Sequence, residues 1–339
     1  MNTFFLDRLN SEPHALAFAG QSTPWPVALA DQSANPALDE ALHTHAAAAQ
    51  ALLYPVSAEL LATTGRPVDL FGFEPNPARL GAAAAASASV PGIALTQLGA
   101  LLDAAALGYN PAQAKPVAVL GHSQGVLAVH MVQAICEAGS IDAAAAKIDE
   151  ILAIATLIGV AGTRQARQLG LAARHGEATP MLSVKDITRA QVDALIERVD
   201  GARGPIAVAV TNSATHYVLS GYPEDLAAFG VEVAKEHKRQ AQLREEKVRG
   251  GRVFNPVLEY LDVTLPFHSP LMADAVSQAV AWAEACGINA DHARELAAEV
   301  LLNHVDWAAR VRALMKSTDP SALWVLDFGP GNTVGKLFS

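Results

Sequence analysis

Five residues, Gly121-His122-Ser123-Gln124-Gly125, follow directly on the apolar run Pro116-Val117-Ala118-Val119-Leu120. A strand that ends in G-x-S-x-G and runs into a helix forces its serine onto a sharp turn. The glycines let strand and helix pack closely, and the hydroxyl stands exposed above the sheet edge. Residues 126–135 behind it are apolar nearly all round, the pattern of a buried helix. Ser123 is therefore a candidate nucleophile for acyl chemistry. The helix N-terminus and the backbone N–H of Gln124 lie beneath it, placed to hold an oxyanion. The bland reading of the same five residues is a tight strand-to-helix turn with no chemistry.

A serine hydroxyl needs a base, and the chain offers eleven histidines. His122 is adjacent to Ser123, but neighbours on such a turn point apart, so it reads as structural. His216 sits in a strand pattern, and His304 precedes Val305-Asp306-Trp307. His268, in Leu265-Pro266-Phe267-His268-Ser269-Pro270, follows a strand-like stretch on a loop ahead of a helix, where catalytic side chains commonly project. Residue chemistry alone leaves the choice between His268 and the others open.

The elements that must position these residues alternate. Residues 15–19 and 116–120 read as strands, with helical patterns at 37–63, 90–107, 126–137 and 141–171 and a Pro/Gly/Asn-rich loop through 65–79. Residues 82–86 are low-complexity but helix-favouring. This alternation indicates a parallel sheet covered by helices. From 179 the pattern changes to strand (179–184), helix (188–199, capped by Thr188), strands (206–210 and 217–220), helix (223–242) and a fourth strand at 263–265. That β-α-β-β-α-β order predicts a ferredoxin-like insert. Helices follow at 271–286, 291–301 and 307–316, and a strand at 323–328 returns to the large sheet. The expected architecture is an α/β-hydrolase-like core with a nucleophile elbow (1–176 and 263–339) carrying an inserted small domain (177–262).

The bulk properties narrow the function. The chain has 339 residues, is 51% hydrophobic and only 17% charged, and carries a formal charge of −10, so nucleic acid and anionic membrane are poor partners. Cys136 and Cys286 suit a reducing cytoplasm, no metal-ligand cluster is visible, and no apolar stretch reads as a signal peptide or membrane span.

In order and spacing, five landmarks resemble the acyl-carrier-protein transacylase family: Phe18-Ala19-Gly20-Gln21, Gly121-His122-Ser123-Gln124-Gly125, Asn212-Ser213 through Ser220-Gly221, Phe267-His268-Ser269-Pro270, and His304-Val305-Asp306-Trp307 with Asp327-Phe328-Gly329-Pro330-Gly331. Within it, the chain looks like the acetyltransferase domain of mycobacterial and corynebacterial type I fatty acid synthases, as does the segment Lys247 to Phe254. The resemblance implies Ser123 as the acylated nucleophile and His268 as its base. It implies backbone N–H groups of Gln21 and Gln124 as the oxyanion hole, and a pocket lined by His122, Ile158 and Asn212. It also implies a backbone carbonyl, placed at Asp306, that orients the imidazole. Asn212 as a turn residue and Asp306 as a helix cap remain the alternatives. No permanently bound cofactor is implied, because phosphopantetheine arrives on coenzyme A and on an acyl carrier protein. Other synthase domains are further expected partners.

Malonyl-selective members of that family carry an arginine before a glycine on a helix after the serine, paired with the substrate carboxylate. Here the position holds Ile158, so the resemblance implies an uncharged acyl group, acetyl first, although Arg164 and Arg167 lie a turn or more beyond. Val126 replaces the family's glutamate after the second motif glycine. The rival readings are a serine esterase or thioesterase of the α/β-hydrolase type, a malonyl or palmitoyl transferase, and a catalytically inactive scaffold domain. The cations between Lys235 and Arg252 are either a docking surface for an acidic carrier protein or a solvated helix face.

Overall fold

Three short apolar runs from distant parts of the chain build the three-stranded sheet of the larger lobe. In the computed structural model, which describes residues 8–9, 12–21, 23–70, 85–171, 178–245 and 254–338, β1 (His14–Phe18), β2 (Ala118–Gly121) and β8 (Trp324–Asp327) run parallel in the order β2-β1-β8. The central β1 is buried at every residue, as a strand covered on both faces must be. Its C-terminal end meets the end of β8, where the Ala19 N–H donates to the Gly329 carbonyl at 3.1 Å.

Helices wrap this sheet. The helical patterns over 37–63 form α2 (Pro36–Leu52) and α3 (Ser57–Thr64), divided where Pro55 lies in the tight turn between them. The helix α1 (Trp25–Ser33) before them was not anticipated. α4 (Ala86–Ala106), α5 (Val126–Ala138) and α6 (Ala145–Gln168) form the helical core. α4 corrects one expectation, since by length and composition it is long and apolar enough to cross a membrane. Here most of it is buried in protein. Its Gly92 leaves room for the Trp25 ring and its Gly99 for Gln32.

The second lobe runs β3 (Met181–Lys185), α7 (Arg189–Ile196), β4 (Ala207–Ser213), β5 (His216–Ser220), α8 (Pro223–Glu245) and β6 (Val257–Tyr260). Thr188 and Gln191 cap α7 reciprocally. The sheet order is β6-β3-β5-β4-β7, antiparallel except where β7 (Val305–Asp306) joins β4 in parallel. The β-α-β-β-α-β succession is present, but the fourth strand lies at Val257–Tyr260, not at 263–265. Val263 and Leu265 instead insert into the core of the larger lobe, which explains their apolar alternation. One face of this five-stranded sheet, the small lobe's, packs on its own helices through Leu182, Val184, Leu219 and Phe229. The other packs through Met181, Ala209, Val210 and Val218 on the larger core. Helices α9 (Ala273–Ala285), α10 (Ala290–Leu301) and α11 (Trp307–Ser317) complete the fold.

Candidate active site

At the end of β2 the chain makes one three-residue turn, Ser123–Gly125, before α5. Ser123 has φ +54°, a left-handed conformation that costs a side-chain-bearing residue strain and is held by its surroundings. The surroundings are tight. A Cβ on Gly125 would overlap the Phe18 carbonyl, and one on Gly121 would overlap the backbone of Val126. One on Gly20 would sit 2.7 Å from both the His122 carbonyl oxygen and the Ser123 Cβ. The spacing of glycines therefore records where β1, the elbow and α5 touch.

His268 reaches this serine. Its Nε2 lies 2.7 Å from Ser123 Oγ, and its Nδ1 lies 2.8 Å from the backbone oxygen of Asn303. A carbonyl only accepts, so Nδ1 carries the proton and Nε2 presents its lone pair to the hydroxyl. His268 itself has φ +56°, and the N–H of Ser269 donates to the Leu301 carbonyl at 3.2 Å. The ring is 2% exposed. Burial above all pushes its pKa down to about 3, against the Asn303 hydrogen bond, and the neighbouring His122, His304 and Arg310 disfavour a second positive charge and lower it further. The imidazole is neutral and ready to accept a proton.

The orienting carbonyl is thus Asn303's, which corrects the placement at Asp306. Asp306 caps α11, its Oδ1 accepting from the Ala309 N–H at 2.8 Å. Asn303 lies two residues past α10, where a carbonyl without an intrahelical partner is natural. A backbone group has no sequence signature, so only its neighbourhood was readable.

The other sequence candidates sort by position. The Gly20–Gln21 loop lies against Ser123, and the Gln21 side-chain amide donates to the Gln124 side chain. Fully buried Gln97 holds that loop, its Nε2 donating to the Ala19 carbonyl at 2.7 Å and the Gly329 carbonyl at 3.0 Å. Half-buried His122 points from the elbow into the small lobe's sheet, where Nε2–H donates to Asn212 Oδ1 at 2.8 Å, and its ring stands edge-on to Trp307. His216 lies beyond Asn212, and His304 pairs with Thr211 Oγ1 at 3.0 Å. Neither of these two is hydrogen-bonded to Ser123.

Ile158 is fully buried in α6. Arg164 and Arg167 are exposed and engaged elsewhere, with Gln278 at 2.9 Å and with the Thr63 carbonyl. Arg310, not anticipated, donates to the Gly121 carbonyl at 2.6 Å from α11. Along α8, Lys235 pairs with Glu232, and Arg239 pairs with Glu236. Those contacts favour a solvated helix face over a docking surface. Lys247, Arg249 and Arg252, with the Lys247-to-Phe254 motif apart from Phe254 and the side chain of Arg244, lie outside the described residues, as do Ser22, residues 71–79 and 82–84.

Over 96% of the chain, the structure superposes on 92% of MCAT from Mycobacterium tuberculosis, with a TM-score of 0.60 and 19% identity. The fold is that of the malonyl-CoA acyl carrier protein transacylases. A malonyl transacylase solved in complex with its type II polyketide acyl carrier protein shares it too, at TM-score 0.57 and 18% identity over 96% of this chain and 92% of that one. In sequence, residues 180–260 match the fatty acid synthase central AT domain. The fatty acid synthase beta subunit of Schizosaccharomyces pombe is 27% identical over 56% of the chain. TOXC, a fatty acid synthase beta subunit of Cochliobolus carbonum, is 27% identical over 74%. These matches cover 10% and 13% of those two proteins, so the chain spans only a small part of their length. The sequence similarity is thus to a fatty acid synthase AT domain over residues 180–260 and to parts of fatty acid synthase beta subunits, these two fungal.

Proposed function

We propose that this chain is an acyltransferase domain of a type I fatty acid synthase. It moves an acyl group, acetyl by preference, from coenzyme A through an ester on Ser123 to the phosphopantetheine thiol of an acyl carrier protein. The observation that carries this reading is the Ser123–His268–Asn303 alignment. Its third member is a backbone carbonyl, which argues against a hydrolase triad, where an acid orients the histidine.

In the proposed cycle His268 Nε2 takes the hydroxyl proton as Ser123 Oγ attacks the thioester carbonyl. The developing oxyanion is held by backbone N–H groups at Gln124 and Gln21, each worth about 3–4 kcal/mol in comparable sites. Collapse breaks the carbon–sulfur bond, and the imidazolium returns its proton to the departing thiolate. The carrier thiol then attacks the acyl-serine by the reverse steps, with phosphopantetheine supplied by the substrates and no resident cofactor.

The preference for acetyl rests on Ile158, buried and uncharged where malonyl-selective relatives carry arginine. An unpaired carboxylate beside it costs several kcal/mol, and Arg164 and Arg167 are committed elsewhere. We place the domain in the cytoplasm among other synthase domains, of the mycobacterial and corynebacterial kind. The test is the intact mass of the protein after incubation with acetyl-CoA, malonyl-CoA and longer acyl-CoAs. An acetyl adduct that persists until a carrier thiol is added is expected. A malonyl adduct as abundant as acetyl removes the preference, and rapid release of free acetate removes the transferase.

A further inference from the structure

A hydrogen-bonded chain of buried and half-buried side chains runs from the elbow into the small lobe's sheet. His122 Nε2–H donates to Asn212 Oδ1 at 2.8 Å, Asn212 Nδ2 donates to His216 Nε2 at 3.5 Å, and the Ser183 hydroxyl reaches the same Nε2 at 3.1 Å. Ser183 is on β3, Asn212 on β4 and His216 on β5, so three strands of one lobe converge on the residue that precedes the nucleophile in the other. Asn212 and Ser183 are buried, at 9% and 3% exposure.

The polarity of this chain turns on His216 Nε2. An amide nitrogen only donates, so the Asn212 contact calls for a lone pair there and a proton on Nδ1, while the Ser183 hydroxyl, nearer to the same atom, can donate or accept. With Nδ2 drawn to His216, Asn212 turns its oxygen to the elbow, and His122 must be protonated at Nε2. If the acceptor at position 216 is removed, nothing decides which way the Asn212 amide faces. The flipped amide sets two donors against each other at His122, and an unmade hydrogen bond in a buried place is costly. His122 also stands against Trp307, the first residue of α11, so its ring is held between the small lobe's sheet and a helix of the other lobe. A loose His122 passes directly to Ser123, whose left-handed backbone survives only because its surroundings hold it.

Building on the acyltransferase reading, we propose that His216 is a positioning residue. Through Asn212 it fixes the ring of His122, and with it the placement of Ser123 before His268. The mechanism above does not use His216, whose Nε2 meets Asn212 and Ser183 and not Ser123.

The test compares His216→Phe, which keeps a ring and loses the acceptor, with His216→Gln, which keeps an acceptor. Two readouts are needed: Ser123 acylation by acetyl-CoA, and Ser123 modification by a fluorophosphonate, which reports the elbow whatever the natural donor is. The expected result is a fall of about tenfold or more in both rates for His216→Phe with KM for the donor within about twofold, and recovery to within about threefold in His216→Gln. Equal losses in the two variants, or a wild-type fluorophosphonate rate in His216→Phe, overturn the proposal. Should His216→Phe not fold, nitrogen NMR of the wild-type protein decides. Protons on His216 Nδ1 and His122 Nε2 are required, and a proton on His216 Nε2 at neutral pH overturns the assignment. A wild-type Ser123 that reacts with the fluorophosphonate but not with any acyl-CoA sinks the functional reading and leaves the positioning role to be judged on the probe alone.

Discussion

Lowering the pH from about 7.5 to about 5.5 should leave Ser123 acylation nearly unchanged while making the protein measurably less stable. An ordinary histidine titrates near 6.5, so at about pH 5.5 only about a tenth of it would remain neutral and the rate would fall about tenfold. His268, pushed to about 3 chiefly by burial, stays almost wholly neutral across that range. The stability consequence has the opposite sense. The unfolded chain binds a proton at this histidine below about pH 6.5 and the native protein does not, so the unfolded state gains as pH falls, until the native ring titrates near 3. At about pH 5.5 that amounts to about 1.4 kcal/mol for His268. His216, held to about 4 mainly by burial and then by Lys185, adds a similar amount, about 3 kcal/mol for the pair.

The assay is acylation at the two pH values by rapid quench and mass spectrometry, alongside urea denaturation of the wild type and of His268→Gln. The variant should lose about 1.4 kcal/mol less than the wild type on going to the lower pH. A tenfold fall in acylation with a midpoint near 6.5, or identical losses of stability in the two proteins, would refute the buried neutral base.

Three further substitutions probe the surroundings. Gly20→Ala should overpack the elbow against the Ser123 Cβ and the His122 carbonyl, destabilising by about 1–3 kcal/mol in a urea titration and slowing acylation more than tenfold; retention of the wild-type rate would mean the loop is free to retreat. Asp306→Ala should cost about 1 kcal/mol through the lost α11 cap and leave acylation within about twofold, whereas a tenfold fall would return the orienting role to that position. Arg310→Met removes a positive charge that helps hold His268 and His122 down, so the acid limb of the acylation profile should move to higher pH; no movement, or the reverse, contradicts the assigned sign.

Much of this arrangement was legible because it is written in side chains that do local work. The glycines around Ser123 and on the Gly20 loop mark close backbone approach, and the strand–serine–helix succession follows from that. His268 was singled out by its loop, though the family likeness was needed to choose it over His216 and His304. What escaped has a common cause. The Asn303 carbonyl is backbone, common to every residue, and nothing in a sequence distinguishes one from its neighbours. The misplaced fourth strand shows that alternation at Val263 and Leu265 reports burial, here in the other lobe's core, and burial alone does not specify a strand. The β7 pairing spans almost a hundred residues between Thr211 and Asp306, beyond the reach of local periodicity.

A carbonyl-anchored histidine with so low a pKa is a weak base, and that bears on which bonds the site can exchange. Proton transfer from a serine hydroxyl to such a ring is uphill, so the imidazolium must be short-lived and the oxyanion donors must carry most of the stabilisation. A buried carboxylate on Nδ1 would support the cation better, at a desolvation cost this 2% exposed ring avoids. The weaker arrangement suffices when the leaving group is a thiolate. With a thiol pKa near 8.5, it departs with little help from an acid, unlike an amine or an alkoxide. On the proposed reading, the same feature favours return of the acyl group to another thiol. Attack on the acyl-serine by water gains less from a base this reluctant, because water yields its proton far less readily than a thiol does. On that same reading, the Asn303 carbonyl at Nδ1, in the place of a carboxylate, is part of how the site would limit hydrolysis of its own intermediate.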